Sequence, residues 1–177
     1  MRVTVITGSP HWNGTSALLA ERFIAGAQEA GHDIFRFDAA FEDVKPCIAC
    51  NHCTSHSTCV YQDAMNILNE NLFCADAVTF VTPLHYFGFS AQVKAVISRF
   101  HANNAKLKQN KQAILMATSS KSDDWTMGGL KAVYEAMIRF LCWKDVGKLF
   151  ATGCPSREVI EQSGFPDMAF ALGKELR

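Results

Sequence analysis

Four of the seven cysteines fall in one short stretch, at Cys47, Cys50, Cys53 and Cys59, in the spacing C-x2-C-x2-C-x5-C. Thiolates this close in sequence can ligate an iron–sulfur cluster or zinc. They can run thiol–disulfide exchange, or be the residue of an ancestral site. His52 and His56 lie in the same stretch and are ligands that zinc accepts. The other three, Cys74, Cys142 and Cys154, read as structural. Cys74 and Cys142 stand at expected helix ends near apolar neighbours, where a thiol behaves as a small hydrophobe.

Two further stretches carry chemistry. Gly8-Ser9-Pro10-His11-Trp12-Asn13-Gly14-Thr15-Ser16 is rich in hydroxyls and leads from an apolar run into a helical pattern. A helix N-terminus offers free backbone N–H groups, and with Ser and Thr around it that end suits a phosphate. The stretch has neither the Gly-Lys-Ser/Thr ending of a Walker loop nor G-x-G-x-x-G. A plain strand–helix turn with Thr15 or Ser16 as N-cap accounts for it as well. Pro83, Leu84, His85, Tyr86 and Phe87 follow the end of another apolar run. Aromatics placed after a strand has ended read as a slot for a flat ring rather than as core.

Alternating elements must position these groups. Strands are expected over residues 3–7, 34–37, 77–82, 113–118 and 146–151, as short apolar or β-branched runs. Helices are expected over 15–30, 63–73, 90–101, 129–142 and 167–176, from apolar residues recurring at helical spacing. Strands alternating with helices imply a parallel sheet covered on both faces. The fold class is therefore α/β, a doubly wound five-stranded sheet. Ligands bind such sheets beyond the carboxyl ends of the strands, where the strand order reverses. Loops 8–16, 83–90 and 119–129 are the ones to inspect. In the last, Lys121, Asp123 and Asp124 read either as a lid over a bound ring or as a solvated turn. Trp125 reads as a stacking partner or a buried anchor, and His32 and His101 as solvated.

Composition bounds the function. A chain of 177 residues suits one domain, expected to span 1–177, with 49% hydrophobic and 19% charged residues. Lys+Arg and Asp+Glu number 17 each, which leaves no basic excess to meet a nucleic-acid backbone. No apolar run reaches the length that spans a bilayer. The first residues lack the pattern of a signal peptide. With an odd cysteine count, the expected setting is the reducing cytoplasm.

The chain resembles the flavodoxin-like NAD(P)H-dependent FMN reductases. Residues 8–19 are similar to that family's G-S-P-R-x-x-G-N-T-x-x-L loop, and residues 82–99 to its S/T-P-V-Y-W-F-S-F-S-A-Q-L-K-A-F-I-D-R segment. The second match runs in register without a gap. The resemblance implies a flavodoxin-like fold and an FMN-dependent oxidoreductase. NAD(P)H would be the cosubstrate, and a quinone, nitro compound, flavin or metal complex the small-molecule acceptor. It implies FMN contacts from Ser9, His11, Asn13, Thr15 and Ser16 at the phosphate, and from Pro83, Leu84, His85, Tyr86 and Phe87 along the ribityl chain and ring. Ser119 would approach the ring's other edge. It also implies a homodimer whose second chain closes the flavin site. Departures stand at His11 for Arg, Thr15 for Asn, His85 for Tyr and Ser98 for Asp. The cysteine spacing also resembles the compact motif of the iron–sulfur flavoproteins. That likeness implies a [4Fe–4S] cluster on Cys47, Cys50, Cys53 and Cys59, and an electron carrier working with a ferredoxin-like partner. Cluster-free reductases keep similar cysteines, so the spacing leaves cluster, zinc and free thiols open, with free thiols ahead. A thiol-based redox sensor is the third reading.

Overall fold

β-Branched and aromatic runs with little charge leave no choice but burial on both sides. The computed structural model describes residues 1–123 and 125–177. Asp124, read above as part of a lid or a turn, lies outside the described residues. Five strands, β1 (Arg2–Thr7), β2 (Asp33–Asp38), β3 (Ala77–Pro83), β4 (Gln112–Thr118) and β5 (Lys144–Ala151), pair in the order β2-β1-β3-β4-β5. Every pairing is parallel. This is the flavodoxin-like order, and its reversal lies between β1 and β3.

Side chains alternate across the sheet. On β4, Ile114 and Met116 join one core and Ala113, Leu115 and Ala117 the other. The first core packs under α1 (Thr15–Glu29) through Leu19 and Phe23, and under α8 (Phe165–Lys174) through Ala169. The second packs under α3 (Met65–Cys74), α4 (Ala91–Arg99) and α6 (Gly128–Leu141), around Phe80, Tyr134 and Trp143. Helices α1 and α8 touch backbone to backbone. A Cβ on Gly173 would lie 2.1 Å from the Phe23 carbonyl oxygen, so only glycine fits there.

The main elements fall where the spacing puts them. Four short helical pieces were not expected: α2 (His52–His56), a 3-10 turn at Phe100–Asn103, α5 (Asn104–Leu107) and α7 (Arg157–Glu161). Each is too short to show a helical period. The last helix begins at Phe165, earlier than its apolar stripe, because Pro166 suits the first helical turn. Two cysteine expectations change. Cys74 and Cys142 are exposed, and Cys142 ends α6 in the left-handed region at φ 59°. Cys154 is buried as expected. His32 is not simply solvated: its ring lies 3.3 Å from the N-terminal amine and 2.9 Å from the Leu176 carbonyl oxygen, tying the two chain ends.

Candidate functional site

The loops at the carboxyl edge of the sheet are held by backbone bonds, among them one from the Gly8 amide to the Val81 carbonyl at 2.9 Å, and by side chains that add to them. Ser90 caps α4 and also donates its hydroxyl to the Gly8 carbonyl at 2.9 Å. Thr82 Oγ1 accepts from the Ser90 amide at 3.0 Å. The first bond joins the loops after β1 and β3 across the reversal point, and the second closes the β3–α4 loop on itself. Thr15 donates to Thr118 Oγ1 at 3.0 Å, which brings in the end of β4. The Ser119 amide reaches the Ala151 carbonyl at 3.0 Å, which adds the end of β5.

A cleft of about 610 Å³ opens above this network. One wall is the 9–16 loop with Ser9, His11, Asn13, Thr15 and Ser16, joined by Pro83 and His85; the other is Pro155–Arg157. Neither Thr15 nor Ser16 is the N-cap of α1. Gly14 holds that position and has no side chain to give. The first-turn amides of α1 are thus left for another acceptor. Ser16 Oγ is buried and has no partner among the described residues. A buried hydroxyl without a partner is costly, and in this position it matches a ligand oxygen. The cleft therefore fits a phosphate on two independent counts.

Sequence reasoning missed Pro155, Ser156 and Arg157, which follow β5 and carry no motif. Four expected contacts lie outside this cleft. Leu84 packs against the α3–α4–α6 core. The Ser119 hydroxyl donates to the Lys121 carbonyl. Tyr86 is 99% exposed, and Phe87 is half-exposed with its ring 4.9 Å from that of Trp125. Tyr86 and Phe87 form the tip of a tight turn closed by paired bonds between His85 and Gly88. Both take positive φ, 44° and 65°. Left-handed backbone in large aromatic residues costs on the order of 1–3 kcal/mol each and concentrates at functional sites. Trp125 is exposed, not a buried anchor.

The cysteine segment forms a second site. Arg99 and Asp63 make a buried ion pair at 2.6 Å, with side chains 2% and 1% exposed. Arg99 also donates to the Lys45 carbonyl at 2.8 Å, and the Asp63 carboxylate accepts from the Lys45 amide. One pair thus closes both ends of the 45–63 segment. Ser98, the departure from Asp, accepts from the Cys47 amide at 3.0 Å and pins the segment to α4. Ala49, Asn51 and Ser57 adopt positive φ along the way. Cys47, Cys50, Cys53 and Cys59 all line one cavity of about 310 Å³ with Arg99 and His101. Their donor chemistry suits a cluster, yet among the described residues no three metal-binding side chains are drawn close enough to hold an ion. The rings of His52 and His56 stack at 4.0 Å on α2.

Residues 1–145 match the family model described as NADPH-dependent FMN reductase. The chain belongs to that family. Among curated relatives, an iron–sulfur flavoprotein from Archaeoglobus fulgidus is 34% identical over 55% of this chain and 49% of its own length. One from Methanosarcina thermophila is 28% identical over 69% of this chain and 65% of its own. The match therefore spans about half to two thirds of those relatives. A solved NAD(P)H:quinone oxidoreductase from Methanothermobacter marburgensis superposes with a TM-score of 0.78 at 16% identity, covering 100% of this chain and 97% of that one. At that identity the likeness carries the fold. No helix is long and apolar enough to cross a membrane, among the described residues.

The buried pair sets a pH dependence. Burial alone would raise the Asp63 carboxyl. Hydrogen bonds from Arg99 and from the Lys45 and Met65 amides outweigh it and hold the carboxyl below its ordinary value. Its contribution to stability is thus complete above the ordinary Asp range near 4 and is lost as pH falls through the lowered value. Asp63→Asn strands a buried guanidinium and should cost about 3–5 kcal/mol at pH 7. In urea unfolding followed by circular dichroism, the gap between wild type and variant should shrink steadily below about pH 4. A gap independent of pH would contradict this role for Asp63.

Proposed function

We propose that residues 1–177 act as one FMN-binding domain that takes electrons from NAD(P)H and delivers them to a small acceptor. The observation that carries this reading is the orphaned Ser16 hydroxyl beside the uncapped amides of α1, within the cleft where strand order reverses. Ser9, His11, Asn13, Thr15 and Ser16 hold the phosphate. Pro83, Leu84 and His85 border the ribityl chain, Tyr86 and Phe87 the ring, and Ser119 its far edge. When bound, FMN supplies a ring that accepts a hydride from the nicotinamide and passes two electrons onward. No side chain is needed as a nucleophile. The protein orients the ring, and the His85–Gly88 turn fixes which aromatic edges face it. The quinone in the name of the Methanothermobacter neighbour supports a quinone among the small acceptors, beside a nitro compound, flavin or metal complex.

The unusual exposure of Tyr86, together with exposed Trp12 and Trp125, supports a homodimer in which the second chain covers the ring. Seven free thiols support a cytoplasmic setting.

A second reading is favoured by one observation: four cysteines line a single cavity beside a buried guanidinium. The relatives named iron–sulfur flavoproteins support it. In that reading Cys47, Cys50, Cys53 and Cys59 hold a [4Fe–4S] cluster, and the chain relays electrons to a ferredoxin-like protein.

Two measurements separate these readings. Anaerobic mixing of FMN-loaded protein with NADH or NADPH should bleach the flavin within seconds to minutes. If both fail while reduced ferredoxin succeeds, the carrier reading stands and the reductase reading falls. Anaerobic reconstitution with iron and sulfide should give about four irons per chain if the cysteines hold a cluster, and Cys53→Ser should lose them. Protein that takes up no iron retains the cysteines as free thiols.

A further inference from the structure

The phosphate loop lacks the arginine of the motif it resembles, because His11 stands in its place. Imidazole has no fork with which to bind a phosphate bidentately. The cleft nevertheless contains an arginine. Arg157 enters it from the opposite wall, at the start of α7. It lies beyond residues 1–145, the stretch that the family model matches.

Its guanidinium is held on two sides. Nε donates to Glu161 Oε1 at 2.7 Å and Nη2 to Glu21 Oε2 at 3.0 Å. Nη1 is buried and has no partner among the described residues. Guanidinium is a donor only, so Nη1 can be satisfied by nothing but an acceptor. The same cleft holds the second orphan, Ser16 Oγ. An anion seated between the two walls answers both. The two glutamates fix the plane of the fork, and their side chains are 41% and 50% exposed, so solvent screens their charge. The buried Nη1 is screened less.

We propose that Arg157 is a phosphate anchor of the flavin site, supplied from the turn after β5 in place of the arginine missing at His11. This rests on the reading that the FMN phosphate occupies the 9–16 loop. Arg157 then closes the cleft from the side of β5, and the flavin tail is held between the first and last strands of the sheet.

Riboflavin is FMN without its phosphate and isolates this contact. Apo-protein of wild type, Arg157→Met and Arg157→Lys is titrated with each flavin, following the change in flavin fluorescence. Arg157→Met should weaken FMN by roughly tenfold or more, the loss expected for one charge-assisted hydrogen bond, and leave riboflavin unchanged. Arg157→Lys keeps the charge and the Glu21 contact without the fork, and should show a smaller loss confined to FMN. Thermal melts of the apo-proteins verify folding; should the Met variant not fold, the Lys variant decides alone. Unchanged FMN affinity, or equal weakening of both flavins, overturns the proposal and leaves Arg157 a surface ion-pair residue. Wild type that binds FMN no more tightly than riboflavin defeats the phosphate-loop reading itself.

Discussion

The reversal of strand order between β1 and β3 is the constraint on which the rest depends. To either side of it the chain leaves the sheet toward opposite faces, into α1 after β1 and into α4 after β3. Beyond the backbone bond from the Gly8 amide to the Val81 carbonyl at 2.9 Å, the loops diverge. The Ser90 side chain adds a second bond across the gap, to the Gly8 carbonyl, and Thr82 holds Ser90 in place through its amide. What remains open above them is a cleft whose floor is cross-linked by these bonds and whose first wall is a helix N-terminus without a side-chain cap. In the proposed reading, anion affinity would come chiefly from that helix N-terminus.

A different device holds the cysteines. A polar segment of this length, with few apolar anchors, does not dock by hydrophobic burial. The Arg99–Asp63 pair instead closes its two ends, and Ser98 fastens Cys47 to α4. A buried ion pair adds little net stability compared with a hydrophobic pair, but removing one partner is costly. It therefore fixes where the segment sits. The cysteine cavity and the phosphate cleft share no lining residue. Each is built on its own anchor, and α4 is common to both, with its N-cap bonded to the Gly8 carbonyl under the cleft and its last residues at the thiols.

The sheet was legible in the sequence because its strands are apolar runs and its helices carry a 3.6-residue stripe. The place of the 9–16 loop between β1 and α1 was legible too, but hydroxyls before a helix suit an N-cap as well as a phosphate, so its composition left its use open. Ser98 and Arg99 were visible only as matches or departures within a motif; their tie to residues 45–63 is a tertiary contact that no local pattern encodes. Arg157 was invisible for the same reason, sitting in a five-residue helix beyond every motif. Composition favours hydroxyls at the N-cap and so points to Thr15 or Ser16, whereas Gly14 takes the position and leaves the Ser16 hydroxyl without a partner among the described residues. The exposure of Tyr86 ran against the ordinary behaviour of an aromatic side chain, and left-handed backbone at two successive aromatic residues is not a pattern that propensity foresees.

The central claim is that the flavin phosphate sits on the uncapped start of α1. Backbone amide chemical shifts, recorded by NMR on labelled apo-protein during titration, test it most directly. The account predicts that the amides of Thr15, Ser16 and Ala17 move strongly with FMN and stay nearly still with riboflavin, while ring-side amides near His85 move with both. Largest FMN-specific shifts in the 47–59 segment, or shifts at Thr15–Ala17 that riboflavin reproduces, would contradict it.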